Sequence, residues 1–223
     1  MPVVATQTFD DLDVAVARFY ARRPEPGERV LLHPERPLDV AGFERFCARH
    51  PDAFAELEPD GTITLMSPQT LLSNENEFTV ATLLGNWWLS SGRPGKAFGA
   101  SAGFALPGGA VRSPDAAWVS PQRLAALSAS EYDTMAALVP DFVVEVMSKG
   151  DSLRPAQRKM REEWMAAGVR LGWLLWPRRR RAYVYWAGGD APEELHGFER
   201  VLDGGEVVPG FQLDLRELLG AGL

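Results

Sequence analysis

A chain of 223 residues, 46% hydrophobic and 24% charged, has enough apolar surface for one substantial core, which argues against disorder and does not demand a second domain. A net charge of −7 gives no general affinity for phosphate, and no apolar stretch approaches the roughly 20 residues that cross a membrane. The single cysteine, Cys47, excludes an internal disulfide, and His33, His50 and His196 are too scattered for a zinc site.

The N-terminus, MPVVATQTFDDLDVAV, lacks a basic head and a continuous apolar run, so no leader is expected and a soluble, cytoplasmic protein is. Residues 1–38 read as a flank: Leu12, Val16, Phe19 and Tyr20 have helical spacing, and the Pro-rich connection ARRPEPGERVLLHPERP follows. Residues 39–223 read as the main domain. It opens with a helix over about 39–49, in which Cys47 is a packed thiol rather than a nucleophile. GTITLM (61–66) is a strand entered through a turn glycine. The clearest helix covers about 74–90, where Val80, Leu83, Leu84, Trp87 and Trp88 form an apolar stripe and Asn74 with Glu77 has the pattern of a capping box.

A β-rich stretch follows: FGASAGFAL (98–106), a PGG turn and DAAWV (115–119). Short helical pieces fill 121–138, and DFVVEVM (141–147) is a buried strand ended by the Ser148–Lys149–Gly150 turn. The spacing predicts a helix over 155–167 with proline in its first turn, then a hairpin of LGWLLW (171–176) and AYVYW (182–186) around PRRRR. Trp173 and Trp176 suit a buried strand better than a base-stacking platform. A strand near 206–213 and a short helix close the chain. This order predicts an α/β (α+β) protein with a mixed central sheet flanked by helices rather than an alternating βαβ array. No dinucleotide fingerprint or phosphate loop is present.

Of four Pro-Asp pairs, Pro114-Asp115 stands out because Asp115 opens an apolar strand. Glu145 lies inside another, where an ionised side chain needs a partner. Asp141 is a poor partner, about 13 Å away along the same strand. Asp115 on a neighbouring strand, with the backbone carbonyl of Val146, would suit an oxygen-liganded Mg²⁺ that keeps several waters. The alternative is a core ion pair of Glu145 with an arginine or lysine. Lys159, on the next helix, either positions or deprotonates an attacking water or makes an i, i+4 surface pair with Glu163, worth no more than about 0.5 kcal/mol. Gln157 is a weaker neighbour. Glu77 either caps its helix or points at the same site. From Lys149 to Arg181, ten Lys/Arg stand against Asp151, Glu162 and Glu163, which is either a phosphate-binding face or a solvated helix and turn.

In order and spacing, ELEPDGTITLMSP (56–68), SNENEFTVATLLGNWW (73–88), SAGFALPGGAVRSPDAAWVS (101–120), PDFVVEVMSKGDSL (140–153), QRKMREEWMAAGVRLGWLLWP (157–177) and LDGGEVVPGFQLDL (202–215) resemble the Uma2 family of predicted endonucleases, over about residues 40–220. The resemblance implies a restriction-endonuclease-like PD-(D/E)xK core. It matches Asp115 to the PD aspartate, Glu145 to the second metal carboxylate and Lys159 to a helical lysine, and sets Glu77 on a helix that often adds a polar group. Two departures stand out. Met147 occupies the position two after Glu145 where many such nucleases place lysine. Ser148-Lys149 replaces the Ser-Pro of many members, which makes Lys149 an alternative base. The expectation is a Mg²⁺-dependent DNA endonuclease, with Mn²⁺ as a possible substitute, acting as a homodimer without membrane contact. The alternatives are a non-catalytic nucleic-acid-binding or mobile-element accessory protein on the same fold, and a structural homodimer whose carboxylates merely pair with arginines.

Overall fold

A computed structural model of the chain describes residues 5–9 and 11–219, with 5–9 and Leu219 as backbone only. Residues 1–4, the head of the stretch read as lacking a leader, lie outside the described residues. Among the described residues no helix is long and apolar enough to cross a membrane.

The first half of the chain runs β1 (Ala5–Phe9), α1 (Leu12–Ala21), β2 (Arg29–Pro34), α2 (Val40–Arg49), β3 (Phe54–Leu57), β4 (Ile63–Met66), α3 (Leu71–Ser90), β5 (Lys96–Gly99), β6 (Phe104–Ala105), β7 (Val111–Arg112) and β8 (Ala116–Val119). The second half runs α4 (Pro121–Leu124), α5 (Ala129–Tyr132), β9 (Phe142–Val146), α6 (Leu153–Arg158), a π-helix (Lys159–Met165), β10 (Leu171–Trp176), β11 (Arg181–Trp186), β12 (Glu193–His196), β13 (Val201–Asp203) and β14 (Gln212–Asp214), then a 3₁₀ turn at Leu215–Leu219. Among the described residues two six-stranded sheets form, β1-β2-β4-β3-β7-β6 and β12-β11-β10-β9-β8-β5, with β13 and β14 as a separate ribbon. Each sheet is mixed: β1–β2 and β9–β10 are parallel and the other pairs antiparallel.

Asp11 and Asp39 cap α1 and α2, whose apolar faces (Val16, Phe19; Phe43, Phe46) close the first sheet over Val30, Leu32, Leu57, Ile63 and Leu65. The second sheet is buried on both faces. Val80, Leu84 and Trp87 of α3 pack over Phe142, Val144, Trp173 and Leu175, while Met160 and Trp164 of the π-helix pack over Val143, Leu174 and Tyr183. Glycine at 172 admits the second layer, because a Cβ there would meet Met160 Cε at 2.5 Å.

Several local expectations change. The Pro-rich connection holds strand β2, paired with β4, so part of the flank lies in the first sheet. FGASAGFAL is not one β segment: β5 joins the second sheet beside β8, whereas β6 joins the first beside β7. Helix α3 begins at Leu71 with Thr70 as its cap, three residues before Asn74, so Asn74 and Glu77 form no capping box. The later helix starts at Leu153 and changes to π winding at Lys159. The strand expected near 206–213 is only Gln212–Asp214.

Candidate active site

Strand β9 organises the site. Its side chains alternate, with Phe142, Val144 and Val146 under α3, and Val143 and Met147 toward the π-helix. Alternation puts Glu145 on that second face. There Trp164 Nε1–H donates to Glu145 Oε1 at 2.8 Å, and Lys159 Nζ lies 3.0 Å from the same oxygen. The core ion pair considered for Glu145 is therefore present, with Lys159 as its cation. Pairing of β8 with β9 ends at Ala116↔Val144, and one further step sets Asp115 opposite Glu145. Directly opposed residues have Cβ atoms about 4.5–5.5 Å apart. Asp115 Oδ2 accepts the Val146 N–H at 2.5 Å. In extended backbone a residue's N–H and C=O point to the same neighbour, so the Val146 carbonyl turns toward Asp115 as well.

A second carboxylate meets Lys159 from the first sheet. Glu56 of β3 lies with Oε1 3.1 Å from Lys159 Nζ, and the same oxygen accepts the Ser113 N–H at 3.1 Å. Beside it Arg112, buried in β7, donates from Nη2 to Glu58 at 2.6 Å, from Nε to Glu163 and from Nη1 to the Leu57 carbonyl at 2.7 Å. Glu163 is thus committed to Arg112, and the surface pair expected between Lys159 and Glu163 does not form. On an α-helix a side chain five positions on sits about 140° round the axis. The wider π turn brings that side chain nearer to line with the first. Lys159, Glu163 and Trp164 all reach the site.

The carboxylates are largely withdrawn from water and incompletely compensated. Burial, then Glu145 and Glu77, holds the Asp115 carboxyl well above its usual range. Burial also raises Glu145, with Lys159 opposing it and Glu56 adding to it. Glu77 is pushed up to about 7 by burial, with Glu145 and Asp151 adding repulsion against a hydrogen bond from Gln69. Its Oε1 is buried without a hydrogen-bond partner among the described residues. Glu56 behaves oppositely: burial works against its charge, but Lys159, Arg112 and Arg29 together hold its carboxyl below the ordinary value. Burial likewise works against the Lys159 ammonium, and Glu145 and Glu56 more than offset it, so its pKa rises. The two carboxylates thus hold Lys159 as a cation.

Among the described residues no group of three or more His, Cys, Asp or Glu side chains is placed to hold a metal ion, so any site here rests on the pair Asp115 and Glu145 with backbone and water oxygens. The donor set nonetheless suits a hard cation that keeps water. Among the described residues the contacts of Asp115 fall on Oδ2 and those of Glu145 on Oε1, which leaves one oxygen of each for a cation or water. Lys149 is exposed on the turn after β9, and Gln157 is half-buried on α6. Neither side chain joins this cluster among the described residues. Glu56, Arg112, Glu58 and Trp164 were not singled out from the sequence. The alternation of Glu56 and Glu58 around buried Leu57 carries no mark of a site, because the partners lie 54 or more positions away.

The parallel register of β9 and β10 brings the PRRRR turn to the same end of the sheet as Glu145 and Val146. Arg178, Arg179 and Arg180 are exposed there, and Arg154 and Arg158 are exposed on α6 just after β9.

The Uma2 family model, described as "Putative restriction endonuclease", matches residues 40–216. The chain belongs to the Uma2 family. The Uma2 chain also resembles the crystal structure of "a putative nuclease" from Anabaena variabilis, at 15% identity and a TM-score of 0.65, over 82% of this chain and 98% of that one. That likeness carries the fold, a restriction-endonuclease-like core. No curated protein matches. In this Uma2 chain Asp115 directly precedes β8 and Glu145 lies in β9, and the two strands pair.

Proposed function

We propose that this Uma2 protein is a Mg²⁺-dependent DNA endonuclease that hydrolyses phosphodiester bonds, with Mn²⁺ able to replace Mg²⁺. The observation that carries the reading is Asp115 opposite Glu145 at the end of two paired strands, with the Lys159 ammonium 3.0 Å from Glu145. Asp115, Glu145 and the Val146 carbonyl would hold the metal, with Glu77 as a weaker contributor. A divalent cation bound there supplies Lewis acidity and a more acidic water. Lys159, held charged, stabilises negative charge on the phosphate under attack rather than taking a proton. Trp164 fixes the rotamer of Glu145 by its hydrogen bond. Val143 and Met147, on the same face of β9 as Glu145, are buried in apolar packing. If a base is needed from the protein, exposed Lys149 is the remaining lysine near the strand end.

The arginines on α6 and on the turn after β10 support a polyanionic substrate, because they offset a net charge of −7 at this end of the sheet. A cytoplasmic setting suits the lone Cys47 thiol, whose pKa burial raises to about 11. Two copies related by a two-fold axis would supply two sites for a double-strand cut.

The test is cleavage of supercoiled DNA, linear DNA and RNA by wild type, Asp115→Asn and Glu145→Gln, with and without Mg²⁺. Metal-dependent nicking by wild type alone supports the reading. DNA binding without cleavage in any metal would replace it with the non-catalytic nucleic-acid-binding alternative.

A further inference from the structure

Lys159 faces two carboxylates, and they differ in what else they do. Glu145 is opposed to Asp115 at the strand ends, and any cation drawn to that pair competes with the ammonium for Glu145. Glu56 approaches from the other sheet, and its oxygens are already engaged: Oε1 by Lys159 and the Ser113 N–H, Oε2 toward Arg112 Nη1 at 3.9 Å. Arg112 is fixed in turn by the Leu57 carbonyl, Glu58 and Glu163. Glu56 is therefore a rigid anion, 6% exposed, at the end of a buried network rather than a mobile surface carboxylate.

We infer that Glu56 is the positioning residue for Lys159, holding its ammonium at the site whether or not Glu145 is engaged by a cation. A lysine side chain is a flexible four-carbon stem whose rotamer freedom must be restrained for its charge to act at one point. The π-helix sets Lys159 and Glu163 on one side, so β3 and β7 grip the helix at two places, through Glu56 and through Arg112. The first sheet thereby acts on the site without contributing a group that touches substrate.

The inference rests on Lys159 serving catalysis, and two readouts separate its failure from failure of that reading. The chain has three lysines, Lys96, Lys149 and Lys159, of which the first two are exposed. Acetylation of the full chain with an amine-specific succinimidyl ester, followed by peptide mass spectrometry, reports each separately. In wild type Lys159 should react about tenfold or more slowly than the other two, as expected of an ammonium paired with two carboxylates. Glu56→Gln, which keeps the shape and leaves Arg112 paired with Glu58 and Glu163, should speed Lys159 at least about fivefold and leave Lys96 and Lys149 unchanged. Glu56→Ala should do the same if it folds by circular dichroism. In cleavage assays Glu56→Gln should lower kcat about tenfold or more at nearly constant KM, because a charge is displaced without loss of a substrate contact. Unchanged Lys159 reactivity in Glu56→Gln overturns the inference, as does a freed Lys159 with unaltered kcat. A wild type that cleaves nothing sinks the nuclease reading instead, and the labelling still decides whether Glu56 holds Lys159.

Discussion

Glu77 is the residue whose protonation most directly reports the state of the site. Its carboxyl is raised to about 7 from an ordinary 4.5, chiefly by burial. Between those values the folded chain holds a proton that the unfolded chain has released, so stability falls as pH rises through that window. The loss amounts to at most about 3 kcal/mol for this group. Glu77→Gln should therefore be more stable than wild type at pH 8 in metal-free buffer, with the difference gone near pH 4; denaturant unfolding at both pH values checks it. Lys159→Ala has a different expected signature. A surface pair with Glu163 would have cost no more than about 0.5 kcal/mol, but Lys159 pairs with Glu56 and Glu145 at 18% exposure. Its removal leaves two carboxylates facing each other and should cost about 3 kcal/mol as well as cleavage. DNA affinity should change only by the loss of about one unit of salt slope. A fully active, undestabilised Lys159→Ala would remove Lys159 from the mechanism and pass its role to Lys149.

At the scale of the element, the π-helix matters most. Met160 and Trp164 fill the core on its inner side, while Lys159 and Glu163 reach across to the first sheet. Its seating depends on the bare backbone at Gly172 of β10, where a methyl group would meet Met160 Cε at 2.5 Å and Met165 Sδ at 3.4 Å. Gly172→Ala should cost about 1–3 kcal/mol through overpacking. It should also impair cleavage more than its loss of stability explains, because displacing the helix moves Lys159 and Trp164 together. Thermal melting alongside kcat on the same preparation checks this. An alanine at 172 that melts lower but turns over normally would show that helix placement is not coupled to the site.

For the whole molecule, the site lies where two sheets meet. Lys159 and Glu145 belong to the second sheet and its helix, Glu56 and Arg112 to the first, and Arg29 of β2 reaches Asp151 after β9 at 3.3 Å. A cation bound between Asp115 and Glu145 would relieve repulsion, including that on Glu77, that folding otherwise has to overcome. Mg²⁺ or Mn²⁺ should thus raise the melting temperature, by an amount that grows with the logarithm of concentration above Kd and is larger at pH 8 than at pH 5. Calorimetry of wild type against Asp115→Asn tests it: an equal shift in both would place the metal elsewhere. Light scattering at micromolar concentration tests the proposed homodimer, and a monomer would count against it.

The sequence alone determined the elements that periodicity and turn chemistry define: the stripe of α3, the apolar strand around Glu145, and the β10–β11 hairpin with its arginine turn. It also marked Asp115 and Glu145, because a carboxylate beside or within an apolar run stands out locally. Tertiary structure decided what each charged residue meets. Glu163 met Arg112 instead of Lys159, a partner 51 positions away on the first sheet. Glu77 proved to be buried in the second turn of α3 rather than at its cap, because Thr70 starts the helix earlier. Glu56 became part of the site only through β3, whose four residues are too short a run to show a period and whose partner Lys159 lies 103 positions away. Pairing over such separations is set by sheet order and packing, and the physical reason it escapes sequence reading is that local propensity contains no term for it.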